Sequence, residues 1–183
     1  MKTIYSASMD TFTKGMTAFV FLIIVGVVVT PSLMNLGHPI TDASTNYVTI
    51  GVGIFILALL SIVYLFRVLR YEITDTELII VRPYKSLHIP LNTITGIAKL
   101  EKTDLFPGTI RTFGNGGFFG YTGYFWNRTH GTMTFYMSRR DNLILIEAKS
   151  SKANKDNKIV ISPDDITMEN KLIELLKKIN TAN

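Results

Sequence analysis

Residues 71–81 read Tyr-Glu-Ile-Thr-Asp-Thr-Glu-Leu-Ile-Ile-Val. Apolar and polar side chains alternate from Tyr71 to Thr74, Asp75-Thr76 supplies a turn, and Leu78 to Val81 is apolar again, so the stretch predicts two tightly joined strands. Pro83 stops the second strand because proline cannot donate to a ladder. Outward from this hairpin, Ser86–Pro90 and Ile94–Leu100 predict a third and a fourth strand. Thr132–Met137, Leu143–Ala148 and Lys158–Ile161 predict three more, with Arg139 to Asn142 turning between the first two of these. Lys102 to Gly131 shows no period and reads as irregular.

The chain closes on a predicted amphipathic helix. Ser162 suits the N-cap, Pro163 the first helical position, and Asp164 and Asp165 the positive end of the helix dipole. Met168, Leu172, Ile173, Leu176 and Ile179 recur at helical spacing, which predicts that Leu172, Ile173 and Leu176 are buried against the sheet. The fold class expected for residues 71–183 is therefore α+β: a bent antiparallel sheet or barrel of seven strands capped by the terminal helix.

Residues 1–70 differ in character. The whole chain has 183 residues, 47% hydrophobic and only 18% charged, and the charge deficit concentrates here. No Asp, Glu, Lys or Arg lies between Lys14 and Asp42, or between Asp42 and Arg67. A helix rises about 1.5 Å per residue and the hydrocarbon core is about 30 Å thick, so roughly 20 apolar residues suffice to cross it. The expectation is a membrane anchor of two transmembrane helices, near 17–36 and 47–69. A cleaved signal peptide is the competing reading of the first, but its apolar run exceeds a signal core and lacks a small-x-small cleavage site. Lys2, Lys14, Arg67 and Arg70 flank the two stretches while the connector Gly37 to Asn46 has no Lys or Arg, which predicts a multi-pass protein of the bacterial inner membrane with both termini cytoplasmic.

Candidate chemistry is sparse. There is no cysteine, and His38, His88 and His130 are scattered, so no metal site, cofactor site or catalytic constellation is expected. A net charge of +5 spread over the chain does not point to nucleic acid. Lys149, Lys152, Lys155 and Lys158 recur every third residue and read as a solvated loop. Asn127-Arg128-Thr129 has the form of a glycosylation acceptor, inert on a cytoplasmic domain. The unusual segment is Phe106 to Trp126, rich in glycine and aromatics. Its candidate contact surface is Arg111, Phe113, Phe118, Phe119, Tyr121, Tyr124, Trp126 and Arg128, with the phenylalanines expected to pack inward and Tyr121, Tyr124 and Trp126 to face a membrane or partner.

Tyr71 to Leu78 followed by Ile89-Pro90-Leu91 and Ile94 resembles the opening of bacterial pleckstrin-homology-like domains. The terminal helix is similar to the one that plugs their barrel, and Arg111 to Gly123 resembles one bacterial branch. The resemblance implies that fold and a binding or scaffold role without catalysis, with the lipid bilayer, a protein partner or further copies of the chain as partners. It does not imply phosphoinositide binding here, because the first hairpin turn, Thr74 to Glu77, carries negative charge. The alternative reading is an oligomeric two-helix channel or transporter subunit gated by its cytoplasmic β domain, against which stands the lack of ionisable groups in the apolar stretches.

Overall fold

The structure, a computed structural model, describes residues 2–34, 43–149 and 157–182. The connector read as external and the Lys152–Lys155 part of the lysine run fall largely or wholly outside the described residues.

The element order is β1 (Thr3–Ser6), α1 (Thr11–Met34), α2 (Ala43–Leu65), β2 (Arg70–Ile73), β3 (Glu77–Val81), β4 (Leu87–Pro90), β5 (Ile94–Leu100), α3 (Lys102–Leu105), β6 (Ile110–Gly116), β7 (Tyr121–Asn127), β8 (Gly131–Met137), β9 (Leu143–Ala148), β10 (Asn157–Ile161) and α4 (Thr167–Ala182). The strands form two sheets, one ordered β1-β2-β3-β4 and one ordered β5-β9-β10-β8-β7-β6. All seven expected strands are present. β1 and the pair β6–β7 are additional, the latter occupying the segment expected to be irregular.

The last strand does not extend the sheet at its edge. β10 enters between β8 and β9, parallel to β8 through Ile159↔Thr134 and antiparallel to β9 through Ile159↔Ile146. Both faces of β9 are covered by packed cores, which accounts for its unbroken run Leu143-Ile144-Leu145-Ile146, all four buried. Ile144 and Ile146 join Tyr71, Leu78, Ile80, Met168 and Leu172 in a core between the two sheets and α4. Leu143 and Leu145 point the other way, into a second core with Phe125, Phe135 and Leu105.

Two polar contacts fix this arrangement. The buried Tyr71 hydroxyl donates to the Tyr136 carbonyl at 2.7 Å and accepts from the Ser162 N–H at 3.0 Å, so one side chain joins the two sheets. The Ser162 hydroxyl accepts from the Ser138 and Arg139 N–H groups. Ser162 is thus not the helix N-cap that the sequence suggests: its oxygen is already engaged in the interior. The helix begins at Thr167, whose N–H is held at 2.9 Å by the Asp165 carboxylate. Of the expected stripe, Leu172 is fully buried, and Ile173 and Leu176 are half-buried.

The N-terminus belongs to the sheet. β1 pairs antiparallel with β2 from Thr3↔Ile73 to Ser6↔Arg70, and Lys2 reaches the buried Glu72 carboxylate at 2.8 Å. Asp10 then holds the start of α1. Its Oδ1 accepts from the Thr13 N–H at 2.7 Å, and its Oδ2 accepts from the Arg140 N–H at 3.2 Å. The Arg140 guanidinium lies 3.5 Å from the Phe12 ring centre.

Among the described residues no helix is long and apolar enough to cross a membrane, which overturns the expectation of two transmembrane helices. The first turns of α1, which carry Thr11, Thr13, Lys14 and Thr17, are polar and tied to the sheet through Asp10, which shortens the apolar part of that helix. The two helices nonetheless leave many large apolar side chains uncovered, among them Phe19, Leu22, Ile54, Phe55 and Leu57.

Leu172→Ala should destabilise the chain by about 2 to 5 kcal/mol, the usual range for truncating a buried leucine. Denaturant unfolding of the full chain in mild detergent measures this, with the exposed Lys177→Ala as the variant expected to stay within about 0.5 kcal/mol.

Candidate functional site

The glycine and aromatic segment is a β-hairpin. β6 pairs with β7 from Ile110↔Trp126 to Gly116↔Tyr121, with a bulge at Thr112, whose hydroxyl donates to the Tyr124 carbonyl at 3.0 Å. Its middle is shaped by Gly114 and Gly123, which face each other across the ladder at φ of 111° and 127°. A Cβ on Gly114 would lie 2.2 Å from the Thr122 carbonyl oxygen, and one on Gly123 would lie 2.3 Å from that of Phe113. Only glycine permits this approach of two backbones.

The tip of the hairpin is closed by Gly117 N–H donating to the Gly120 carbonyl at 2.9 Å, and by the Asn115 amide donating to the carbonyls of Phe118 and Gly120. The rings of Phe118 and Phe119 lie 4.5 Å apart, and Phe119 takes the left-handed conformation with φ of 56°. The surroundings hold it there. Its N–H donates to the Thr17 hydroxyl of α1 at 3.1 Å, and its ring meets Tyr64 of α2 edge-on at 5.6 Å. Thr17 in turn donates to the Thr13 carbonyl at 2.8 Å. The tip therefore seats against both helices.

The candidate contact residues are divided among three places. Tyr121 is 7% exposed and packs with Phe125 and Phe135 in the second core, contrary to its expected outward orientation. Phe113 was expected inward but is 73% exposed, because β6 is the free edge of its sheet and its register partner Tyr124 is 53% exposed. Phe118 and Phe119 are half-buried at the tip, and Trp126 is 42% exposed beside Ile110. Arg128 stands exposed at the opposite, open end of the hairpin, whereas the exposed Arg111 runs its guanidinium along β6 to Gly116 beside the tip. Phe113, Tyr124 and Trp126 thus form an aromatic face, whereas Tyr121 is framework.

Between this face and α2 lies a cavity of about 390 Å³, walled by Ile62, Val63 and Phe66 on the helix side and by Phe113, Tyr124 and Tyr136 on the sheet side. Arg82 enters it from the end of β3. A neighbouring cavity of about 400 Å³ shares Tyr124 and Tyr136 and runs along the free edge of β4 past Leu87 and His88. Thr17, Tyr64 and Arg82 belong to this region although sequence reasoning did not select them. No local signal marks Thr17, whereas Tyr64 and Arg67 could have been found as aromatic and basic residues closing an apolar helix; Arg82 follows β3 and reaches the end of α2 only through the fold.

Asn127 is buried and its amide donates to the carbonyl of Leu105 at 3.1 Å and to the Thr109 hydroxyl at 2.9 Å, so this side chain closes the loop before β6. Its engagement in the fold accounts for Asn127 in structural terms. Among the described residues no group of His, Asp and Glu side chains is arranged to hold a metal ion.

Acidic groups couple the helices to this sheet. Burial alone would raise the Asp10 carboxyl, but hydrogen bonds from Thr13 and Arg140, with the Arg140 charge, hold it below the ordinary carboxylate value. Burial likewise opposes ionisation of Asp164, whose pKa is nevertheless lowered by Ser8 and by the Arg139 guanidinium at 2.9 Å. Residues 69–177 match the model of a protein family described as Bacterial PH domain. No curated protein and no solved structure matches the chain.

Two predictions follow from this geometry. Gly123→Ala should prevent closure of the hairpin and lower the melting temperature of the full chain, while Gly15→Ala in α1, where nothing lies within 4 Å and the backbone is helical, should not lower it. Asp10 and Asp164 have depressed folded-state values, so their stabilisation is present above an ordinary carboxyl pKa near 4 and is lost as pH falls through the folded values. Unfolding followed from pH 7 down to pH 2.5 should show this loss, and Asp10→Asn with Asp164→Asn should flatten it.

Proposed function

The chain belongs to the bacterial PH domain family, and we propose that it is a non-catalytic binding module working on the cytoplasmic side of the bacterial cell membrane. The observation that supports this most is the continuity of the apolar surface. The uncovered flank of α2 passes through the cavity at Ile62 and Phe66 directly into the aromatic face of Phe113 and Tyr124. An exposed apolar patch of this extent marks a protein or membrane contact.

In this reading the helix flank faces lipid, and Phe113, Tyr124 and Trp126 receive a protein partner or a second copy of the chain. Tyrosine and tryptophan suit such a place because their polar ends tolerate a wet boundary while their rings supply area. β6, the last strand of its sheet among the described residues, adds edge backbone groups beside those rings. The β2–β3 turn is no phosphoinositide cradle, since Asp75 and Glu77 lie there.

The test has two readouts. The full chain should be recovered in the membrane fraction of lysed cells. Phe113→Ala combined with Trp126→Ala should change unfolding by no more than about 0.5 kcal/mol per exposed site yet abolish cross-linking from Tyr124 to any neighbouring chain. A wild-type chain found wholly in the supernatant would contradict the location, and unaltered cross-linking would contradict the contact face.

A further inference from the structure

We propose that the cavity between α2 and the β6–β8 face is a binding site for an anionic phospholipid, with Arg82 receiving the phosphate. The inference rests on the membrane location proposed above and adds a ligand and a site to it.

Arg82 is the charged residue among those walling the cavity. It is half-buried, and its Nε donates to the Lys85 carbonyl at 2.8 Å. The guanidinium lies 5.2 Å from the ring centre of Tyr136 and 5.9 Å from that of Phe66. Stacking and the Nε bond fix its orientation, and among the described residues no carboxylate pairs with it. A partly desolvated guanidinium held with two free nitrogens is matched by an oxyanion that accepts two parallel hydrogen bonds, as phosphate does. The Thr134 and Tyr124 side chains line the same cavity.

The α2 side of the wall is hydrocarbon, which small anions do not need. Ile62, Val63 and Phe66 continue along the same flank of α2 to the uncovered Leu59 and Phe55, giving an acyl chain a path away from the guanidinium. The same level of the molecule carries further interfacial chemistry. Arg67 lies 5.1 Å from the Tyr64 ring centre, the rings of Phe66 and Tyr84 are 5.7 Å apart, and the Tyr84 N–H donates to the Leu65 carbonyl, placing Lys85 beside the end of α2. Basic and aromatic side chains that close an apolar helix are what a headgroup layer favours. This site is separate from the acidic β2–β3 turn.

The experiment uses the full chain in mild detergent, with lipid retention read by native mass spectrometry. Phosphatidylglycerol should be retained over phosphatidylcholine of the same acyl chains by about fivefold or more, the equivalent of roughly 1 kcal/mol for one basic residue. Arg82→Gln should remove the preference, Arg82→Lys should keep part of it, and Thr134→Glu should remove it by placing a carboxylate in the cavity while leaving the Arg82 stack alone. Melting curves recorded beside each variant identify any that unfold, and the two removal variants alter different elements. Equal retention of both lipids by the wild-type chain, or an undiminished preference in folded Arg82→Gln, would overturn the proposal. Displacement of the lipid by millimolar inorganic phosphate would assign the site to a free phosphate and overturn the lipid. Selectivity is read in detergent solution, so it fails or succeeds independently of where fractionation places the protein.

Discussion

The contact on which the arrangement depends is the approach of two backbones at Gly114 and Gly123. With the Cβ positions of these residues only 2.2 to 2.3 Å from carbonyl oxygens across the ladder, any side chain would force the strands apart. Their closeness lets β6 and β7 continue past them to a tip that reaches Thr17 and Tyr64. The sheet and the apolar helices are held together there, and at Asp10 and Asp164 on the other end of α1's approach. The cavity and the aromatic face both lie beside this junction, so the geometry that forms the site is the geometry that attaches the helices.

The physical division of the hairpin follows from its place in the sheet. β7 lies inside the sheet and alternates, sending Tyr121 and Phe125 into the second core and Tyr124 and Trp126 outward. β6 is an edge, with a bulge and three glycines in or beside it, and its side chains are exposed almost throughout. A phenylalanine on such a strand has no interior to enter. Phe113 is therefore available for contact rather than for stability, which is the reverse of what its chemistry alone suggests.

Elements whose patterns are local were legible in the sequence. The alternation at Tyr71 to Val81 gave β2 and β3, the run at Leu143 gave β9, and the stripe from Met168 to Ile179 gave α4. Elements defined by long-range pairing were not. β1 is four residues at the chain's start whose partner lies about 67 residues on, and the insertion of β10 between β8 and β9 leaves no trace in the periodicity of any of the three. The β6–β7 hairpin was hidden because positive-φ glycines interrupt the two-residue period by which strands are recognised. Ser162 misled for a different reason: a good cap residue had a more distant use, satisfying the Ser138 and Arg139 N–H groups in the interior. The apolar stretches were visible as composition, but composition did not reveal that Asp10 and Thr17 commit the start of α1 to the sheet.

The seating of the hairpin tip on α1 is the claim that joins fold to function, and the chain contains no cysteine to confuse its test. With the Phe119 N–H 3.1 Å from the Thr17 hydroxyl, cysteines at these two positions lie within bridging reach. The most direct measurement is oxidation of Thr17→Cys/Phe119→Cys in the full chain, with Thr17→Cys/Arg128→Cys as the control from the hairpin's open end. The account predicts rapid intramolecular disulfide formation in the first pair and none in the second. Equal reactivity of the two pairs, or a first pair that stays reduced while the protein remains folded, would contradict it.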